Sequence, residues 1–242
     1  MTKVNLELIS KVKIKNPTVL IGFQGIGLVG MLAAQHLSKE LKCELIGHIE
    51  SDQIPPLAIL HENEITFPIR LSYDKKNNIV VIESEIPVTP EMAYEIGHVI
   101  INYIKKVGAK QVYILEGLVS NELPDETKVF GIPTNEVMRK VLKKNDVSLI
   151  SSGAILGIAG ALLLCSKESN INSAAIMAES HVNIPDAMAA SNIVKKIAKI
   201  IGVKVDVEHL RSKGKQTEEK IKSVLEHMKK FKTSEDSKIL YG

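Results

Sequence analysis

Gly25-Ile26-Gly27-Leu28-Val29-Gly30 sets three glycines at the spacing G-x-G-x-x-G. Between a strand and a helix, such a turn can cradle a pyrophosphate with backbone N–H groups at the helix N-terminus. Glu50 or Asp52 falls about where an acid that binds a ribose hydroxyl belongs. The same glycines also permit a sharp turn and close strand–helix packing. Phe23-Gln24 lengthens the turn, and the later chain supplies no evident hydride-transfer acid or substrate clamp. Packing is therefore the favoured reading. A nucleoside- or dinucleotide-binding enzyme using Gly25 to Gly30 stands as the alternative.

Other chemistry-bearing residues are scattered. Glu179-Ser180-His181 offers an acid, a hydroxyl and an imidazole at a strand end, where α/β sites collect. Neighbours in an extended segment face opposite ways, so Ser180 and His181 cannot pair directly. Glu83, Glu85 and Glu116 are further carboxylates at strand ends. Arginine occurs three times, at Arg70, Arg139 and Arg211, which is thin for an enzyme handling phosphate. Gly153, Gly157 and Gly160 read as a helix surface for close packing rather than as a phosphate nest. Cys43 and Cys165 are isolated and have no metal-ligand spacing. No catalytic, cofactor or metal residue is assigned.

The chain closes on Leu240-Tyr241-Gly242, an apolar residue, a tyrosine and a terminal carboxylate, after the polar run 233–238. Chain ends are ordinarily polar and loose, so an apolar group on a soluble tether calls for a use. It can fold back onto its own domain. It can also plug a pocket on another protein, with the ring giving contact area and the carboxylate pairing with a lysine.

The elements that must carry these residues follow from pattern. Residues 18–21 read as a strand buried on both faces, and a helix follows from about Ile26 to Glu40. Strands are expected at 45–49, 79–83, 111–115, 148–151 and 174–178, with short ones near Ile59 and over 65–71 that could pair as a hairpin. Thr89 and Pro90 open a helix that stops at Gly108, and Thr134 caps one reaching Lys144. A further helix follows Gly157, and Asp186 starts one ended by Gly202. Residues 116–127 read as a loop, and 203–207 as an edge strand or a lead into the next helix. Residues 217–232 read as a charged helix with a narrow apolar stripe, Ile221, Val224, Leu225 and Met228. Strands alternating with helices predict one α/β domain with a mixed, largely parallel sheet flanked by helices. The division is a domain over 1–212, an amphipathic helix within 213–232 and a flexible tail over 233–242.

Composition narrows the classes. Trp is absent and Phe and Tyr total nine, which argues against a platform that stacks bases. The net charge is +3, but residues 211–232 hold eight basic and three acidic residues, leaving the remainder slightly acidic. The isolated thiols suit a reducing cytosol. No apolar run is long enough for a bilayer span, so neither nucleic acid nor membrane is expected as a partner.

Taken together, Gly22-Phe23-Gln24-Gly25-Ile26-Gly27-Leu28-Val29-Gly30, Asp52-Gln53-Ile54-Pro55-Pro56, Glu85-Ile86-Pro87, Leu115-Glu116-Gly117, Val129-Phe130-Gly131-Ile132-Pro133-Thr134, Gly153-Ala154-Ile155-Leu156-Gly157 and Ala178-Glu179-Ser180 resemble the archaeal proteasome assembly chaperone family, over about residues 15–210. Within it, the chain is similar to proteins akin to the second eukaryotic assembly chaperone. The family often has Pro where Gln24 stands and Tyr where Phe130 stands. The resemblance implies a fold similar to the nucleoside phosphorylase class, without catalysis or cofactor. It implies a cytoplasmic homo-oligomer, a tetramer being one arrangement, whose partners are 20S proteasome α-subunits. It implies an assembly chaperone or an ATP-independent activator. Leu240, Tyr241 and Gly242 are then the proteasome-binding residues, docking into α-ring pockets.

Overall fold

Strand β2 (Thr18–Gln24) is the centre of the molecule, and its run of apolar residues is buried on both sides. Leu20 faces one hydrophobic cluster while Val19 and Ile21 face the other, as the two-residue period of a strand requires. The computed structural model describes residues 4–61, 63–119, 128–180 and 185–212.

Among the described residues, nine strands form one sheet. They are β1 (Val4–Leu8), β2, β3 (Glu44–Ser51), β6 (Ile69–Asp74), β7 (Ile79–Pro87), β8 (Gln111–Val119), β9 (Val129–Pro133), β10 (Ser148–Leu149) and β11 (Ser173–Ser180). Their order is β1-β3-β6-β7-β2-β8-β11-β9-β10. The central four, β7, β2, β8 and β11, are mutually parallel, and antiparallel pairings flank them. Helices α1 (Val29–Glu40), α3 (Glu136–Lys144) and α5 (Ala187–Ile201) pack on one face. Helices α2 (Pro90–Val107) and α4 (Gly157–Glu168) pack on the other. The expected α/β domain, with a mixed sheet parallel at its centre, is the one observed.

The parallel strands give the sheet a carboxyl end and an amino end. Helices α1, α2, α4 and α5 all start at the carboxyl end, because each follows or precedes a parallel strand. The hairpin of β4 (Ile59–His61) and β5 (Glu64–Thr66) joins β3 to β6 at that same end.

Several local expectations shift. The helix after β2 begins as a 3-10 turn over Ile26–Leu28 and becomes α-helical only at Val29, because Gly27 and Leu28 take positive φ angles of 57° and 53°. Thr134 does not cap α3. Its hydroxyl donates to the carbonyls of Ile171 and Ser173, and Asn135 accepts from the Met138 N–H as the cap. The hairpin is β4–β5, and Pro68 separates it from β6, which joins the main sheet. Strand β8 runs on to Val119 through residues expected to be loop. Residues 203–207 form neither strand nor helix and lead to the short α6 (Glu208–Ser212). The edges of the sheet are instead β1, at the other end of the sequence, and β10.

Candidate functional site

The glycine turn lies at the carboxyl end of β2, where the sequence puts it. A Cβ on Gly30 would fall 2.1 Å from the carbonyl oxygen of Leu115, so this glycine lets α1 press against β8. Strand–helix packing thus accounts for it. A Cβ on Gly25 would fall 2.2 Å from Oε1 of Glu116. The space above the turn is filled by the chain's own carboxylate. Glu116 is buried and accepts the backbone N–H of Gly117 at 2.9 Å and that of Ile26. Backbone N–H groups at the start of a helix are the donors a bound phosphate would take, and here the chain's own Glu116 carboxyl occupies them. Burial pushes the Glu116 carboxyl up to about 7, against the two backbone donors that hold it down.

The acid expected at a ribose is misplaced for that role. Glu50 is on β3, and β6 and β7 intervene between β3 and β2. Three inter-strand spacings amount to about 14 Å. Glu50 instead accepts from His48 at 2.7 Å. Asp52 follows in the turn after β3, equally far across the sheet.

Glu83 and Glu85 belong to an ion cluster. Arg70 on β6 stands directly opposite Glu83 on β7. Its Nε lies 2.6 Å from Glu83 Oε1, and its Nη1 donates to Glu85 and to the Phe67 carbonyl. His61, from the hairpin, meets the same Glu85 oxygen at 2.6 Å. Burial lifts the Glu83 carboxyl even beside Arg70. Burial also opposes ionisation of Glu85, but the bond from His61 and the charge of Arg70 overcome it and hold its carboxyl low. Phe67 stacks on His48, with ring centroids 3.5 Å apart. The cluster therefore fastens the β4–β5 hairpin to the sheet. Sequence reasoning singled out both glutamates and missed Arg70 as their shared partner. The signal was the rarity of arginine beside two acids at spacing i, i+2.

Ser180 is buried and Glu179 is only partly so, on opposite faces at the end of β11. His181 lies outside the described residues. Of the later glycines, only Gly160 serves a close approach, 2.3 Å from the Ile155 carbonyl to a built Cβ, and this is to its own leading loop. Gly153 and Gly157 have open space around them and positive φ, so they shape that loop rather than pack a helix surface. Burial drives the Cys43 thiol up to about 12, far from a reactive thiolate. Leu240, Tyr241 and Gly242, the stripe within 217–232 and the run 233–238 lie outside the described residues.

Comparison with known proteins bears on the whole domain. The model of the PAC2 family matches residues 19–225. The chain belongs to the PAC2 family. A solved structure of Pyrococcus furiosus PbaA, described as an archaeal homolog of proteasome-assembly chaperone, is 34% identical. It superimposes with a TM-score of 0.86, covering 95% of this chain and 100% of that one. Pyrococcus furiosus PbaB, described as an archaeal proteasome activator, is 25% identical with a TM-score of 0.78, over 93% of this chain and 99% of that one. An uncharacterised protein of Methanocaldococcus jannaschii is 30% identical over 225 residues, which is 90% of this chain and 87% of that protein.

Proposed function

We propose that this PAC2 protein is a non-enzymatic proteasome-binding protein, an ATP-independent activator or an assembly chaperone of the 20S particle. The observation that carries this reading is likeness along nearly the full chain to one protein described as a proteasome-assembly chaperone homolog and another described as a proteasome activator. Its contacts with the α-subunits are made by the C-terminal tail. Leu240 is the apolar anchor, Tyr241 the aromatic one, and Gly242 supplies a carboxylate for a pocket lysine. One such plug binds weakly. Several tails on one homo-oligomeric body act at high effective concentration, so their affinities compound. Six residues over 233–238 span at most about 20 Å extended, enough for tails to reach pockets despite a symmetry mismatch. The setting is cytoplasmic, and no helix among the described residues is long and apolar enough to cross a membrane.

The enzyme alternative loses its support at the glycine turn, because Glu116 fills the cradle and the ribose acid stands three strands away. Electron microscopy of the protein mixed with the 20S particle of its own source tests the proposal. Added density on the α-ring faces is expected. Particles without it, at concentrations well above micromolar, overturn the reading.

A further inference from the structure

We infer that the amino end of the sheet, on the side of α2 and α4, is a steering face for an acidic protein surface, the one around the pockets that take the tail. Naming that partner rests on the proteasome reading; the face itself is a property of the fold. Four connections at this end are stitched into one surface. The segment crossing from β1 to β2 meets the end of α2, where the Asn16 N–H donates to the Val107 carbonyl at 2.8 Å and the Lys110 N–H donates to the Pro17 carbonyl at 2.9 Å. Asn78, at the turn between β6 and β7, donates to the carbonyls of Lys15 and Asn16. The Val112 N–H donates to the Asn172 carbonyl, at the end of the connection from α4 to β11.

Residues 10–17, 74–78, 105–110 and 167–172 therefore present one continuous surface. They hold nine lysines, all exposed, and two acids, Asp74 and Glu168. Asp74 is buried, where it accepts from the Lys76 N–H and the Asn77 amide. Glu168 is thus the one exposed carboxylate of the four segments. Among the described residues, none of the nine lysines forms an ion pair. The other connections at this end are balanced: residues 39–44 hold two lysines and two acids, 201–207 hold one of each, and 133–135 hold none.

Helix dipoles account for Lys105, Lys106 and Lys167, in the last turns of α2 and α4. The rest sit in the crossing segment, in the β6–β7 turn and at Lys110, past the cap of α2, with no helix end to serve. Like charges gathered this way repel one another. The chain's own remainder does not relieve them, since residues 213–242 hold eight lysines against five acids. The same end of a second copy is repelled equally. The complement is an acidic surface on another protein.

The kind of cation decides the class of partner. Arg70 is buried in its ion cluster and Arg139 pairs with Glu136, so the face carries lysines alone. Its four segments contain no aromatic residue. Nucleic-acid surfaces add arginine forks and rings that stack on bases. Lysine is a compact, hydrated charge on a flexible stem, suited to attraction at a distance. Such charges speed encounter more than they slow departure. The described chain also ends at this end, where the Asp206 carbonyl meets His36 Nε2 at 2.6 Å. Steering toward this face is steering toward the origin of the tail, whose docking then sets the dissociation rate.

The test measures association and dissociation of full-length chains on immobilised 20S α-rings. One variant combines Lys13→Gln, Lys15→Gln, Lys75→Gln, Lys76→Gln and Lys110→Gln. A control of equal net charge combines Lys128→Gln, Lys140→Gln, Lys143→Gln, Lys144→Gln and Lys195→Gln. All ten positions are exposed, and matching Tm values establish that both variants fold. At low salt the face variant should associate about tenfold more slowly than the native chain and the control less than about twofold, with dissociation unchanged in both. At about 1 M salt the three chains should associate alike, because screening is then nearly complete. Native association rates in the face variant overturn the steering role, as does equal slowing of the two variants. Tighter retention of the native chain by duplex DNA than by α-rings, lost in the face variant, overturns it in favour of nucleic acid. A native chain that α-rings do not retain at any salt refutes the proteasome reading, and the partner named here falls with it.

Discussion

Replacing Glu116 with Gln should cancel a stability loss that the native protein suffers as pH rises through neutrality. The carboxyl is buried above the glycine turn, with its pKa raised from 4.5 to about 7. The folded chain thus holds this proton more tightly than the unfolded chain. Its stabilising effect is full below pH 4.5 and is lost as pH rises through 7. Each pKa unit is worth about 1.4 kcal/mol, so the loss totals about 3 kcal/mol. Gln is neutral, nearly the same size, and keeps a carbonyl to accept from Gly117. The two proteins should be equal to within about 1 kcal/mol at pH 5. By pH 8.5 the variant should be the more stable by about 3 kcal/mol, a difference of roughly 10 °C in Tm for a domain of this size. Calorimetric or fluorescence melting of both proteins from pH 5 to 9 isolates Glu116, because other groups cancel in the difference. Parallel curves, or a variant weaker at every pH, would refute the reasoning. That result would mean the two backbone donors outweigh burial and keep the carboxylate ionised.

Gly25→Ala should destabilise the fold by about 2 kcal/mol through overpacking against Glu116, and Glu116→Ala in the same chain should recover part of the loss in denaturant melts. Arg70→Met leaves Glu83 buried without its counter-charge. It should cost about 4 kcal/mol and open the β4–β5 hairpin to proteases before the rest of the chain, as read by limited proteolysis and mass spectrometry. Thermal-shift titration with NAD, NADP and nucleosides should leave Tm unchanged, because Glu116 already holds the donors a phosphate would need; a rise that saturates with ligand would restore the enzyme alternative.

Elements with strong local signals were readable in advance. Asp186 and Gly202 bracket α5, and Pro90 and Gly108 bracket α2, because caps and breakers act within a few residues. The glycine turn was placed correctly and its packing use recognised. What fills it was not readable, since Glu116 comes from a strand about ninety residues later. The failures share that cause. Strand β1 is short and half-buried, and only pairing with β3 makes it a strand. Strand β9 hides in a Gly- and Pro-containing run that reads as a turn until β11 lies beside it. Thr134 and Asn135 are both good caps by composition, and the carbonyls of Ile171 and Ser173 decide between them.

The central claim is that the chain binds the 20S particle through its last three residues. Immobilised 20S α-rings, challenged with the full chain and with a chain lacking Leu240, Tyr241 and Gly242, test it most directly. The account predicts retention of the full chain and none of the shortened one, with unchanged melting and unchanged oligomer size for both. Equal retention of the two would contradict it.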